Sequence, residues 1–316
     1  MTKSNQEETN SSSTRHSQVS DEIDFHKLFL VLWSGRRLIS GVSGFAAIVS
    51  VIVALLLPNI YTASALLSPA EESGGGLNSL MSQYGGLASL AGVSLPSGND
   101  GSKAQLGIQI LQSRIFIGTF VNQHGLLPDL MAVDRWDAVS KKMTYDPAMY
   151  DAKQQTWTRE VDPPLTSKPS LQEAFKQFQE IMSISEDAQT GYVSISIEHK
   201  SPIVAAQWVE WLVSDLNTTV KNQDVSEATR SIEYLKQQIS STSLAELRAM
   251  FFELIQSQTE TVMLAEVRPE YVFKTIDPAV VPEEESQPNR ILICIFGTMF
   301  GIVFSSLLVF FRHNPR

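Results

Sequence analysis

Five histidines are the first residues to weigh for chemistry: His16, His26, His124, His199 and His313. None falls at the spacing that sets metal ligands on one helix face or across a turn. The single cysteine, Cys294, lies inside an uncharged apolar run. It excludes an intrachain disulfide and a cysteine-based zinc cluster, and packing is its expected role. Nucleophile patterns of the Ser-x-x-Lys and Gly-x-Ser-x-Gly kinds are absent. The stretch "GNDGSK" has the wrong spacing for a phosphate loop. Glu283-Glu284-Glu285 reads as a solvated acidic face rather than a metal site. Trp157, in a polar loop, is the aromatic residue that could stack on a sugar ring, whereas Trp208 and Trp211 begin an apolar helix and read as core. The sequence therefore predicts no catalytic residue, no cofactor and no metal, and a protein that is not an enzyme.

The patterns that remain are patterns of packing. Residues 38–57 and 291–311 are uncharged, mostly apolar and long enough to span a bilayer as helices. The second contains Gly297-x-x-x-Gly301, and the first a smaller match, Ser40-x-x-x-Gly44; such pairs let helix backbones approach closely. Lys27, Arg36 and Arg37 precede the first span, and Arg312 and Arg316 follow the second. By the positive-inside bias this predicts both termini, including residues 312–316, in the cytoplasm and the 58–290 segment on the far side, the periplasm of a bacterium. Between residues 59 and 289, 16 Lys and Arg stand against 29 Asp and Glu, a net of −13. Such a balance argues against gripping nucleic acid or another polyanion by charge.

Along the chain, residues 1–20 are polar and read as a disordered tail. Residues 21–37 read as an amphipathic helix at the cytoplasmic interface. After the first span "YTASALLS" has strand character, and residues 71–104 form a Gly/Ser-rich loop that also carries Leu77, Leu80, Leu87 and Leu90. Ser102 is placed to cap a helix to about Val121, and the prolines of 125–169 predict irregular structure. Ser170 and Glu173 form a capping box, and "MSISE" and "YVSISIEHK" read as a hairpin around Asp187–Gly191. Ser201-Pro202 opens a long helix, 202–240, with a coiled-coil-like seam at Val225, Ala228, Ile232, Leu235 and Ile239. A returning helix, 243–266, begins with a capping box at Ser243 and Glu246 and carries Leu244, Leu247, Phe251 and Leu254 at matching spacing. "EYVFKTIDPAVV" supplies the last strand. The fold class is α+β: two transmembrane helices flank a split β-α-β-β-α-β base. First and last strands feed directly into the spans, which predicts that the base sits on the membrane.

The opening "DEIDFHKLFLVLWSGRRLI", with Asp21, Glu22, Ile23, Asp24 and Trp33, resembles the start of the Wzz-type chain length determinants, the polysaccharide co-polymerases. The segment from Thr242 to Glu284 is similar to that family's return helix and last strand. Pro278, Pro282, Pro288 and Arg290, followed by Gly297 and Gly301, stand where the family has its Pro-rich pattern and helix glycines. The resemblance implies a bacterial inner-membrane protein that forms a homo-oligomeric ring. It implies partnership with a Wzy-type polymerase, the growing polysaccharide on its lipid carrier and the phospholipid bilayer, and control of O-antigen or related polymer length. Larger relatives carry a tyrosine autokinase after the second span; the five residues after Phe311 leave none expected here. Two other readings share the layout: a two-span sensor, which would continue into a cytoplasmic signalling domain, and a capsule or exopolysaccharide export component working with a separate kinase.

Overall fold

The computed structural model describes Trp33, residues 35–70 and residues 101–313. The expected tail at 1–20, most of the interfacial helix at 21–37 and the stretch 71–100 lie outside the described residues. The chain divides into two units, Met1–Leu56 with Asn289–Arg316, and Leu57–Pro288.

The first unit is a pair of helices, α1 (Arg36–Leu56) and a C-terminal helix (Arg290–His313). Both are long and apolar enough to cross a membrane. At 1.5 Å per residue they extend about 31 and 36 Å, against a hydrocarbon core of about 30 Å. Their hydroxyls are satisfied internally: Thr298 Oγ1 donates to the carbonyl of Cys294 at 2.8 Å and Ser306 Oγ to that of Ile302 at 2.7 Å. In hydrocarbon no water would be present to take those bonds.

The second unit is built on a four-stranded sheet. Strands β1 (Tyr61–Pro69), β6 (Met182–Glu186), β7 (Val193–His199) and β8 (Phe273–Asp277) lie in the order β6-β7-β1-β8, all antiparallel. This is the strand order of a split β-α-β-β-α-β sheet, the class expected from the sequence. Alternation sets the faces: Ala63, Ala65 and Leu67 of β1 and Val193, Ile195 and Ile197 of β7 are buried, while Ser64 faces out. The β6–β7 hairpin turns at Asp187, whose Oδ1 accepts from Gln189 N at 2.8 Å, and closes at Gly191, with φ of +70°.

Helices α2 (Gly101–Leu111), α3 (Arg114–Gln123), α4 (Leu127–Met131) and α5 (Leu171–Ile181) complete the first crossover. The single helix expected to run from Ser102 to Val121 is two, because Ser113 caps a new start, accepting from Phe116 N at 3.2 Å. The expected loop 71–104 is also cut short, since residues 101–104 begin α2. Between α4 and α5 two small hairpins replace the expected irregular stretch, β2 (Val133–Asp137) with β3 (Lys142–Tyr145) and β4 (Tyr150–Asp151) with β5 (Thr156–Trp157). Arg159 and Glu173 fasten the chain beyond them to α5 by a two-pronged contact at 2.7 and 3.0 Å, while Glu173 also closes the capping box on Ser170.

Helix α6 (Pro202–Ser241) starts at an N-cap, Ser201, whose side chain accepts from Val204 N, with Pro202 in the first turn. Its first half is core: Trp208, Val209, Leu212 and Leu216 are almost wholly buried over β1 and β7. Beyond Val220 burial falls away except at Ala228, and the helix packs on α7 (Ala245–Val267), which returns along it. The capping box expected at Ser243 is not formed. Leu244 is the N-cap of α7, with no side-chain bond, so the helix begins one residue later than its Ser-x-x-Glu signal implied. The C-terminal membrane helix introduced above is α8.

Candidate functional site

The residues expected to act by packing fall into three places. In the helix pair, Gly35 lies against Val309, Ser43 against Ser305, Ala46 against Gly301 and Ser50 against Gly297, so α1 and α8 run antiparallel. A β-carbon on Gly297 would collide with Ser50, and one on Gly301 would lie 2.5 Å from the Ala46 β-carbon and 3.3 Å from the Ser43 α-carbon. The two glycines thus allow a backbone approach that any side chain would prevent. Ser50 and Ser305 are buried in the seam, and the Ser43 and Ser305 hydroxyls stand 3.5 Å apart.

Ser40 and Gly44 are not in this contact. Ser40 Oγ bonds back to the Arg36 carbonyl at 2.8 Å, and nothing lies within 4 Å of where a Gly44 side chain would be. The small residues of α1 that meet α8 sit on another face, 43-46-50 rather than 40-44. That face was legible as Ser43, Ala46, Ala47, Ser50 and Ala54, the last 2% exposed.

The second place is the Pro-rich segment. Pro278 and Pro282 carry no N–H and cannot extend β8 along the sheet. The chain instead returns to the start of β1, where Ile60 N donates to the Gln287 carbonyl and Ser286 N to the Ile60 carbonyl, both at 2.9 Å. Thr62 and Ser286 hydroxyls meet at 2.7 Å, and Gln287 Nε2 reaches Glu198 at 3.2 Å. The two ends of the second unit are thereby clasped together just before Pro288, with Arg290 opening α8.

The third place is the α6–α7 hairpin. Val225, Ile232, Leu235 and Ile239 are half-buried, and Ala228 is 2% exposed. On α7, Phe251 and Leu254 are half-buried, but Leu244 is 63% and Leu247 38% exposed. Both sit at or beside the turn, where α6 has ended and offers little wall to pack on. Tyr234, Met250, Phe252, Met263 and Val267 are exposed as well, so the hairpin leaves much apolar surface uncovered within one chain.

The histidines have structural surroundings. His199 is buried; its Nδ1 accepts from Ser201 N at 3.0 Å, so Nε2 carries the proton and donates to the Asp129 carbonyl at 3.0 Å. Burial pushes its pKa below the usual imidazole range, opposed by the bond to the Asp129 carbonyl. His124 Nε2 meets Asp215 at 2.8 Å while its ring stacks on Trp211 at 4.3 Å. A His–Asp pair can orient a general base, but among the described residues no hydroxyl or thiol bonds to the His124 ring. Trp157 is not free in a loop. It packs at 5.0 Å on Tyr150, which meets Tyr145 at 5.6 Å. Burial, then the bond to Asp129 at 2.6 Å, raises the Tyr145 pKa above its ordinary value.

A chain of two candidate spans around a split β-α-β-β-α-β unit with a helical hairpin defines a class of membrane-anchored α+β protein. The sequence model of the chain length determinant proteins (Wzz) matches residues 21–124, which take in α1, β1, α2 and α3. Over that stretch the chain is similar to the chain length determinants, and the match takes in the segment Asp21 to Trp33 that carries the resemblance in the sequence. A comparison with curated proteins finds no match. Among solved structures the chain is similar to a "full-length bacterial polysaccharide co-polymerase", at 10% identity and a TM-score of 0.39, covering 92% of this chain and 99% of that one. It is also similar to a "Fragment of WzzB, Polysaccharide Co-polymerase from Salmonella Typhimurium", at 10% identity and a TM-score of 0.28, covering 72% and 100%. At such scores neither likeness establishes a common fold.

Proposed function

We propose that this protein is a polysaccharide co-polymerase that sets the chain length of O-antigen or a related surface polymer. The match of the chain length determinant model to residues 21–124 carries the reading. The protein acts as a scaffold and not as an enzyme. It lies in the bacterial inner membrane with both termini cytoplasmic and residues 58–290 periplasmic, and it works beside a Wzy-type polymerase and the growing polymer on its lipid carrier. Copies of the chain assemble into a ring. The uncovered apolar residues of the hairpin, Tyr234, Met250 and Phe252 among them, support that assembly.

Geometry, rather than a reacting group, then determines activity. Ile232→Asp with Leu235→Asp places two charges on the half-buried α6–α7 seam. A buried unpaired charge costs several kcal/mol, so the hairpin opens. In a deletion strain carrying this variant, a gel ladder of surface polysaccharide shows polymer still made but its preferred length shifted or lost. A wild-type ladder from a stably expressed double variant would sink the scaffold reading. Topology has its own check: reporter fusions after Arg316 and before Ile23 read as cytoplasmic and one near Ser97 as periplasmic, and a periplasmic C-terminus would overturn the two-span arrangement.

A further inference from the structure

Between α3 and the middle of α6 runs a groove that none of the packing sites above uses. It encloses about 300 Å³, the small end of ligand-sized cavities. Ile110, Phe116 and Phe120 form its apolar floor. Positions 215, 218, 219 and 223 of α6 share one face by helical spacing and line one wall as Asp215, Thr218, Thr219 and Gln223, while Gln123 of α3 stands across from them.

The polar groups of this groove are unspent. Helical threonines usually turn their hydroxyls back to a carbonyl four residues earlier. In this protein Thr119, Thr229, Thr259, Thr261 and Thr298 all do so. Thr218 and Thr219 do not, and among the described residues neither they nor the Gln123 and Gln223 amides bond to any protein group. Asp215 uses Oδ2 on His124, which Trp211 holds in place by stacking, and leaves Oδ1 without a partner.

Charge narrows the ligand. The lining holds no Lys or Arg, so a phosphate or carboxylate finds no counter-charge and meets the Asp215 carboxylate. One carboxylate, already paired with His124, is a poor cation site. A purely apolar ligand would strip water from unpaired amides and hydroxyls without replacing it. Neutral hydroxyls that both donate and accept, carried on rings whose C–H faces suit an apolar floor, answer all three conditions. We infer that the α3–α6 groove binds an uncharged stretch of a sugar chain. The inference rests on the polysaccharide reading above for the presence of polymer beside the protein, while the chemistry of the groove stands without it.

The test uses the full chain in its membrane. Ile115, 84% exposed at the mouth of the groove, tolerates replacement, so Ile115→p-benzoylphenylalanine places a photo-reactive ketone there. Irradiation of cells gives an adduct that stains for glycan and disappears in a strain unable to make the polymer. Adding Thr218→Val and Thr219→Val removes two neutral hydrogen bonds and lowers adduct yield about tenfold at limiting polymer. No adduct, a yield unchanged by the two valines, or a crosslink to a second copy or another protein would each overturn the inference. Glycan adduct with a normal length ladder in the deletion strain would retain the groove and reject length control. A ladder that depends on the chain, without adduct, would do the reverse.

Discussion

Asn217→Leu is the substitution whose effect the structure sets most tightly. Asn217 is 5% exposed on α6. Its Oδ1 accepts from Val272 N at 2.7 Å and Phe273 N at 3.0 Å, and its Nδ2 donates to the Phe273 carbonyl at 3.0 Å. Three backbone groups at the start of β8 are thus satisfied by one side chain. The neighbouring strand offers Pro69 opposite Phe273, which has no N–H to give. Leucine fills a similar volume but leaves two donors and one acceptor buried and unpaired. At about 1–3 kcal/mol for each such group, with partial relaxation, the loss is about 4 kcal/mol. For a domain of this size each kcal/mol moves the melting midpoint by about 2–4 °C, so a fall of about 10 °C is expected. Thermal unfolding of the full chain in mild detergent, followed by near-ultraviolet circular dichroism, reads it through Trp208 and Trp211 on the same helix. Ser214→Ala, on the exposed side of that helix, leaves the midpoint unchanged. An Asn217→Leu midpoint within about 2 °C of wild type would show that these bonds do not hold β8 to α6, and the account of the sheet edge would fail.

Two further outcomes follow from the contacts. In a Cys294→Ser background, Ser43→Cys with Ser305→Cys forms a bond within one chain on mild oxidation; Gly301→Leu abolishes it by forcing α1 and α8 apart, and Gly44→Leu, which meets open space, leaves it intact. The Arg159 bond, then the Ser170 backbone, hold the Glu173 carboxyl down to a pKa of about 2 from an ordinary value near 4.5. Its contribution is therefore fully present above the unfolded value and fades as pH falls toward 2. Glu173→Gln should lower the unfolding midpoint at pH 6, the gap closing at pH 2, and an equal gap at both would refute the pairing.

The helical and strand periods were legible wherever one face is buried and the other wet. β7 alternates strictly, and the caps at Ser170 and Ser201 are written in their own side chains. The failures have physical causes. The β2–β3 and β4–β5 hairpins are too short to show a period, and the prolines around them suggested disorder of form rather than tight turns. Ser113 broke an apparently continuous helix because apolar spacing on both sides stays in phase across it. The pattern of small residues that marks Ser40 and Gly44 does not say which face is meant. In hydrocarbon, where no water discriminates between faces, only the partner helix decides. The groove between α3 and α6 joins residues about a hundred positions apart, and no local spacing announces it.

The single long helix gives the geometric reading its force. No Gly or Pro interrupts the chain between Pro202 and Pro269. The half of α6 that lies over β1 and β7 and the half that pairs with α7 are therefore one continuous rod. The free part, residues 221–241, extends about 31 Å at 1.5 Å per residue. Swinging the hairpin relative to the sheet would require bending α6, and neither a proline nor a glycine is present to relieve the strain. Asn217 stands near the point where the rod leaves the sheet and grips β8. From β8 the chain passes to the clasp at Ile60 and Gln287 that joins the unit's two ends. The root of the rod and the clasp thus lie along one hydrogen-bonded stretch of backbone within this unit. One uninterrupted helix with a buried asparagine at its root thus gives the hairpin a fixed reach from the sheet on which it is built.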